Sequence, residues 1–431
     1  MKLFKVLVAA LVMVGMAMPV IAEDRLKLSG EMRTRAFTTD YSADGLATDN
    51  SHPAWANQRL RVAGTIAVAE GVSVSFRTDI TEGTDWGDSS TFQATAGNPE
   101  RTNGAGHARS GSQQQWDRAY MDLTSGMFHL RAGQQYVGTG GTWAVDTQDS
   151  GLLLNIKTGV PITLFGIIDK DGPTNGGSAN RTKQDTFLYG GYLAPKGDSY
   201  SAKIIAAGMS GPDSYTPYLL GLSGSTDFGP VKFFGEFDFF TGDADSNTDA
   251  FGTQLFLDGS MAATDALTVG AQIFYALGDN DDKQFFRLGN GFNGWDPIMD
   301  VGTSLSNEEI VLGAALQPLA AAGFTQYDGN PMDFTGASAG VISPRLYGNF
   351  KLSDDMSFGL SGAYLTVEDD SNVDVEEWAF AAGYVYKFLP NTSFQLQAQY
   401  VTGTVSKVDR QNINDVDFNA FSAGTGLFVS F

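Results

Sequence analysis

The chain contains no cysteine. That excludes disulfide scaffolds, thiolate metal sites, cysteine nucleophiles and covalent haem attachment together. Histidine is nearly absent as well, with only three residues. His52, His107 and His129 have no serine and aspartate at a recognisable catalytic spacing, and no His-Glu-x-x-His, P-loop or dinucleotide fingerprint occurs. Gly138-x-Gly140-Gly141 is a turn rather than a phosphate cradle. An enzyme and a cofactor are therefore not expected. Positive charge is scarce: Lys plus Arg is 27 against 49 Asp plus Glu, a net charge of −22. A nucleic-acid interface needs the reverse balance, so nucleic acid is not an expected partner. Beyond residue 22 nothing approaches the roughly 20 consecutive apolar residues of a membrane-spanning helix.

Glycine and aromatic residues are abundant instead: 52 glycines, 12% Phe, Tyr and Trp, and only 18% charged residues among 431. The first 22 residues account for part of this. Met1-Lys2-Leu3-Phe4-Lys5 is a short basic region, Val6 to Met18 is apolar, and Val20-Ile21-Ala22 offers a cleavage site. This is the pattern of a secretory signal peptide cut before Glu23, with an N-terminal anchor helix as the alternative. Cleavage would leave residues 23–431 as one domain with a net charge of 25 − 49 = −24.

The mature region alternates with period two. In Leu26-Lys27-Leu28-Ser29-Gly30-Glu31-Met32-Arg33 the even residues are apolar or glycine and the odd ones polar. Arg59–Ile66 and Val72–Ile80 repeat the pattern. Successive side chains of a strand point to opposite faces, so each segment has one greasy and one wet face. About 18 such segments can be counted, with 16 as the alternative. Connections after even segments are tight, as at Ala69-Glu70-Gly71, Ser125-Gly126 and Leu389-Pro390-Asn391. Most connections after odd segments are long and polar, the longest at about 278–341. This rhythm predicts an all-β fold: a transmembrane, antiparallel, up-and-down β-barrel with short periplasmic turns and long outer loops. Tyr136, Trp143, Tyr189, Trp378, Tyr384 and Tyr400 fall near segment ends, where aromatic girdles form.

The chain ends Gly426-Leu427-Phe428-Val429-Ser430-Phe431. A terminal phenylalanine closing an alternating strand resembles the C-terminal signature of Gram-negative outer-membrane barrels. With the layout, the whole mature chain resembles the porin class and, more loosely, the alginate-export-type barrels. Leu28–Arg33, Gln58-Arg59-Leu60-Arg61-Val62 and Arg118–Leu123 look like that family's opening strands; Ala132-Gly133-Gln134-Gln135 departs from the Gly-Arg-Gln expected there. The resemblance implies an outer-membrane location, contact with membrane lipid and lipopolysaccharide, and recognition of Phe431 by the assembly machinery. A homotrimer is an assembly open to such a barrel.

The wet faces supply the candidate pore lining. Lys27, Glu31, Arg33, Arg35, Arg59, Arg61, Arg77, Asp79, Arg118, Asp122 and Arg131, with His129, lie on five successive segments and form a basic wall. Lys232, Glu236, Asp238, Arg345 and Lys351 follow on later ones. Walls of charge facing each other across a lumen set ion selectivity; bracing by internal ion pairs is the structural alternative. Asp243-x-Asp245-x-Asn247-x-Asp249 has the opening spacing of a calcium loop, but Thr248 and Gln254 replace the required glycine and glutamate. In the 278–341 connection, Asn307–Leu316 has the capping pattern of a short helix, with Trp295 and Phe324 as apolar anchors. That length suggests a loop folded into the lumen, or else an external cap. The expected function is a water-filled channel for passive diffusion of small hydrophilic solutes or ions. The alternatives are a barrel sleeve around a partner such as a periplasmic multihaem cytochrome, and an exporter of an acidic polysaccharide.

Overall fold

A computed structural model of the chain describes residues 25–43, 54–81, 115–138, 144–170, 185–277, 283–284, 288, 301–305, 341–368, 374–406 and 415–431. The segment read as a signal peptide, Trp143, and the helix expected at 307–316 with Trp295 and Phe324 lie outside the described residues.

Eighteen strands form one ring. They are β1 (Leu26–Ala43), β2 (Ala54–Ala69), β3 (Val72–Thr81), β4 (Gln115–Ser125), β5 (Phe128–Gly138), β6 (Asp146–Ile156), β7 (Ile162–Lys170), β8 (Thr186–Leu193), β9 (Tyr200–Ser210), β10 (Thr216–Phe228), β11 (Val231–Asp243), β12 (Ala250–Thr264), β13 (Leu267–Ala276), β14 (Val341–Lys351), β15 (Met356–Thr366), β16 (Asp374–Leu389), β17 (Thr392–Ser406) and β18 (Val416–Ser430). Each is antiparallel to its neighbours in sequence. β18 returns to pair with β1, from Glu31 opposite Ser430 to Ala43 opposite Phe418. A two-residue segment, Lys283–Gln284, pairs in parallel with Ala250–Phe251 and stands outside the ring, because β13 pairs directly with β14.

The ring leaves no edge, which lipid demands: within a bilayer no water is available to satisfy an open row of N–H and C=O groups. The seam is completed by the last residue. Gly30 N–H donates to the Phe431 carbonyl (2.8 Å) and Phe431 N–H donates to the Gly30 carbonyl (3.0 Å). The tight turns after even strands use left-handed backbone at Gly71, Gly126, Gly229 and Asn391. Such conformations match the twist of the strands that they join. Taking the short-turn end as periplasmic, the long connections lie at the outer end.

The alternation sorts the side chains as expected. Leu28, Leu220 and Leu346 are 59%, 59% and 69% exposed, while Arg33, Arg35 and Arg59 beside them in sequence or register are buried. An apolar outer surface of this extent would make a water-soluble protein aggregate, and in a membrane it contacts acyl chains. Tyr136, Tyr189, Trp378 and Tyr400 of the expected girdle are exposed near the outer end. Phe128, Tyr200, Phe228 and Phe388 form a corresponding belt near the periplasmic turns.

One part of the interior departs from a wet lining. Phe165, Ile167, Leu188, Ile205, Met209, Leu219 and Phe240 belong to a buried apolar cluster on inward faces of β7–β11. Leu288, from the long connection between β13 and β14, completes it: Leu288 is fully buried, bridges Val145, and donates its N–H to the Ala144 carbonyl at 2.8 Å. The chain thus packs its own loop residue against the inner wall.

Truncating Phe431 to alanine removes the ring over Gly30 and leaves the backbone ladder in place. The expected loss is on the order of 1 kcal/mol, scaled down for a side chain that remains half exposed. The check is the temperature at which the compact form disappears in heat-modified gel electrophoresis, which should fall.

Candidate functional site: the charged lumen wall

The inward residues of β1–β5 carry seven arginines: Arg33, Arg35, Arg59, Arg61, Arg77, Arg118 and Arg131. Their register is informative. Arg33 stands directly opposite Arg59, and Arg77 directly opposite Arg118. Like charges directly opposite on one sheet face destabilise the pair, so bracing alone gives no reason for this arrangement.

Carboxylates relieve part of the repulsion. Arg61 donates through Nε and Nη2 to Asp79 Oδ1 and Oδ2 at 2.6 and 2.7 Å. Such a two-pronged bond between planar groups fixes both side chains. Arg59 pairs with Glu31. Asp122 takes Arg131 Nε at 3.2 Å and lies 2.8 Å from His129 Nε2. Arg35 donates to Asn57 Oδ1 at 3.1 Å, and the Arg131 guanidinium lies 4.3 Å from the Tyr120 ring centre.

Asp117 completes the wall, and strict alternation does not place it there. Arg77 pairs with Arg118, yet the next residue Thr78 pairs with Trp116, so the ladder skips Asp117. This is a β-bulge, which re-aims a side chain by adding one residue to a strand. Asp117 turns inward and receives Arg77 Nε at 2.6 Å and Nη2 at 2.5 Å, with Arg61 Nη2 at 3.6 Å. It sits between two guanidiniums and beside a third, Arg118, whose buried Nε has no hydrogen-bond partner. Among the described residues of this wall, seven arginines face Glu31, Asp79, Asp117 and Asp122. The excess is 7 − 4 = 3 positive charges.

Half-way round the ring, nine strands from β2 and β3, the sign changes. Glu236 and Asp238 on β11 are buried on the inner face. Asp238 Oδ2 accepts from Gln254 Nε2 at 2.9 Å. On β12, Asp258 accepts from the Tyr347 hydroxyl at 3.1 and 3.3 Å. Tyr347 reaches it by lying across Gly270 of β13, where a Cβ would fall 2.1 Å from the ring. Arg345 is held inward on β14 by Gln272 (Nη1 to Oε1, 2.7 Å).

Several expected positions take other places. Lys27 and Lys232 are exposed near the periplasmic rim. Lys351 does not line the lumen: it pairs with Asp354 at 2.6 Å in the turn after β14, both side chains in the open. The residues with the calcium-loop spacing make local contacts. Asp243 accepts from Thr216 Oγ1, and Asp245 accepts the N–H of Asn247 in a local turn. Asp249 bridges back to Asp243 through the backbone. Among the described residues no cluster of His, Cys, Asp or Glu is arranged for a metal ion.

The lumen is narrowed by the chain itself. In the β13–β14 connection, Val301, Thr303 and Leu305 are buried while Gly302 and Ser304 are exposed. The segment lies on the inner wall of β15–β18 and β1. Val301 rests on Gly359 and Gly383; Thr303 Oγ1 bonds Gln397; Ser304 N–H donates to Gln395 Oε1 at 2.5 Å; Leu305 packs between Phe37 and Phe428. Of the two placements open to the long connection, these residues adopt the inward one.

Comparison with known proteins agrees with this architecture. Residues 8–167 match the family model described as Gram-negative porin, a span that includes the five strands of the basic wall. No sequence match is found among curated proteins. Solved structures with the same fold include Pseudomonas aeruginosa OccK9 (OpdG), 14% identical with a TM-score of 0.55, covering 95% of this chain and 100% of that one. Acinetobacter baumannii OccAB4 is 13% identical with a TM-score of 0.53 at 95% and 100% coverage. Pseudomonas aeruginosa OpdK, solved with vanillate, is 9% identical with a TM-score of 0.52 at 95% and 99% coverage. At these identities the likeness is one of fold: a closed outer-membrane-type β-barrel.

Replacing Asp117 by asparagine removes one of the four carboxylates and leaves the bulge intact. The wall gains a net positive charge, so the chloride-to-potassium permeability ratio of a reconstituted channel should rise about two- to threefold. An unchanged ratio would mean that ions do not sample this wall.

Proposed function

We propose that this outer-membrane β-barrel is a passive channel for small hydrophilic solutes that favours anions, carboxylates in particular. The observation that carries this is the line of arginines on β1–β5, set opposite one another at the expense of stability and outnumbering the carboxylates among the described residues of the wall. A solute carboxylate drawn to such a wall can exchange one guanidinium for the next, because planar two-pronged pairing is available at each step. The acidic side chains of β11 and β12 repel the same solute from the far side. The field is therefore transverse and holds an anion against the basic wall. Among the similar barrels, OpdK was solved with vanillate, an aromatic carboxylate, which is the kind of solute this wall suits.

No catalytic step is required. Asp122 and His129 are adjacent, and Arg131 shares the same carboxylate, so the pair belongs to the ion-pair cluster of the wall. The sleeve reading has less support. Leu288 and Val301–Leu305 occupy interior space that a threaded partner protein would need.

Liposome swelling tests the proposal. Vesicles containing the folded barrel should admit benzoate faster than benzyl alcohol, and benzyl alcohol faster than benzylamine at neutral pH. The spread should be on the order of severalfold. The Arg118→Gln variant should compress it. Equal rates for the three solutes would contradict the selectivity, and no swelling with any of them would contradict the channel.

A further inference from the structure

The inserted segment is seated like a ligand. Its burial alternates, Val301, Thr303 and Leu305 inward and Gly302 and Ser304 outward, as in an extended peptide laid on a surface. Four extended steps span about 13 Å, close to the three inter-strand spacings of about 4.8 Å from β15 to β18 that it crosses. It runs across the strands rather than along them, so it adds no strand to the sheet.

The wall beneath is shaped for it. A Cβ at Gly359 would fall 2.2 Å from the Val301 carbonyl oxygen, one at Gly383 2.5 and 2.7 Å from the Val301 and Thr303 methyl groups, and one at Gly426 3.0 Å from a Leu305 methyl. These glycines form a floor. Gln395 and Gln397, at successive inward positions of β17, stand above it and bond the segment's backbone N–H and hydroxyl. Phe37 and Phe428 close the far end around Leu305. Every contact is of a neutral kind: backbone amide to glutamine, small aliphatic side chain to glycine, leucine to aromatic. Among the described residues of the loop, the floor contacts come from Val301, Thr303 and Leu305.

We propose that the inner wall of β15–β18 is a binding groove for short, extended, uncharged peptides, and that Val301–Leu305 is the chain's own occupant of it. This rests on the channel reading for the peptide's route of access. A peptide with small or branched aliphatic side chains at alternate positions competes with the segment for glycine floor and glutamine rungs. The groove meets the arginine wall at β1, where Arg35 lies over the Phe37 ring, and its own contacts are uncharged, so the barrel has a second solute class besides anions.

The test uses the full barrel and two loop-independent readouts. In the Val301→Ser/Thr303→Gly/Leu305→Ser variant the groove is intact and its occupant is weakened. Acetyl-Val-Gly-Thr-Ser-Leu-amide should interrupt the current of single variant channels with a dissociation constant on the order of 1 mM. Acetyl-Gly-Val-Ser-Leu-Thr-amide, which shifts the alternation by one, should block about tenfold more weakly. Adding Gly383→Val, whose Cβ would have its three nearest neighbours in Val301 and Thr303, should weaken the first peptide by about the same factor. Equal block by the two peptides, or none by either, overturns the proposal. Fluorescence anisotropy of the dye-labelled first peptide on detergent-folded barrel reads binding without any current. Binding without conductance supports the groove and contradicts the channel reading; conductance without binding overturns the groove alone.

Discussion

The structure depends on one requirement: inside a bilayer every backbone amide must find its partner within the protein. Eighteen strands meet it by closing, with β18 returned to β1 along a thirteen-residue register and with Phe431 and Gly30 exchanging the last two bonds. Closure then dictates the rest. A ring has an outside and an inside, so the period-two pattern sends Leu28, Leu220 and Leu346 to lipid and Arg33, Arg59 and Arg77 to the lumen. An even number of strands puts the tight turns at one rim and the long connections at the other.

Within that frame, the inner wall sets charges together that a soluble core would keep apart. Arginine opposite arginine is tolerable because carboxylates stand between them and because lumen water screens what remains. The bulge at Asp117 matters for this reason: one extra residue brings a carboxylate to within bonding distance of Arg77 without moving Arg118 off the wall. Tyr347 does comparable work on the far side, crossing Gly270 to hold Asp258. The lumen lies between a positive wall on β1–β5, an acidic one on β11–β12, and the neutral rib of Val301–Leu305.

Much of this was legible in the sequence. The strands, the alternation of turn and loop, and the inward arginines of β1–β5 follow from period-two patterning, which needs no tertiary information. Asp117 was not legible, because alternation assigns it to lipid and a bulge is a property of the pairing with β3. The apolar interior of β7–β11 left a trace that a pore-lining expectation passes over. Leu152-Leu153-Leu154 and Leu164-Phe165-Gly166-Ile167-Ile168 are apolar on both faces, as strands covered on both sides are. The inward course of the β13–β14 connection was suggested by its length alone. Its seat could not be read, because Gly359, Gly383 and Gly426 become a floor only when β15, β16 and β18 are aligned. Lys351 failed for a simpler reason: a lysine at a strand's last residue belongs to the turn.

The central claim is that the arginine wall governs which ions pass. The most direct measurement is the zero-current potential of the wild-type barrel in a planar bilayer under a tenfold gradient of potassium chloride. A potential of the sign set by chloride diffusing down its gradient, shrinking as total salt rises and screening shortens, is the result expected. A potential of the opposite sign would give control to the β11–β12 carboxylates, and would contradict the account.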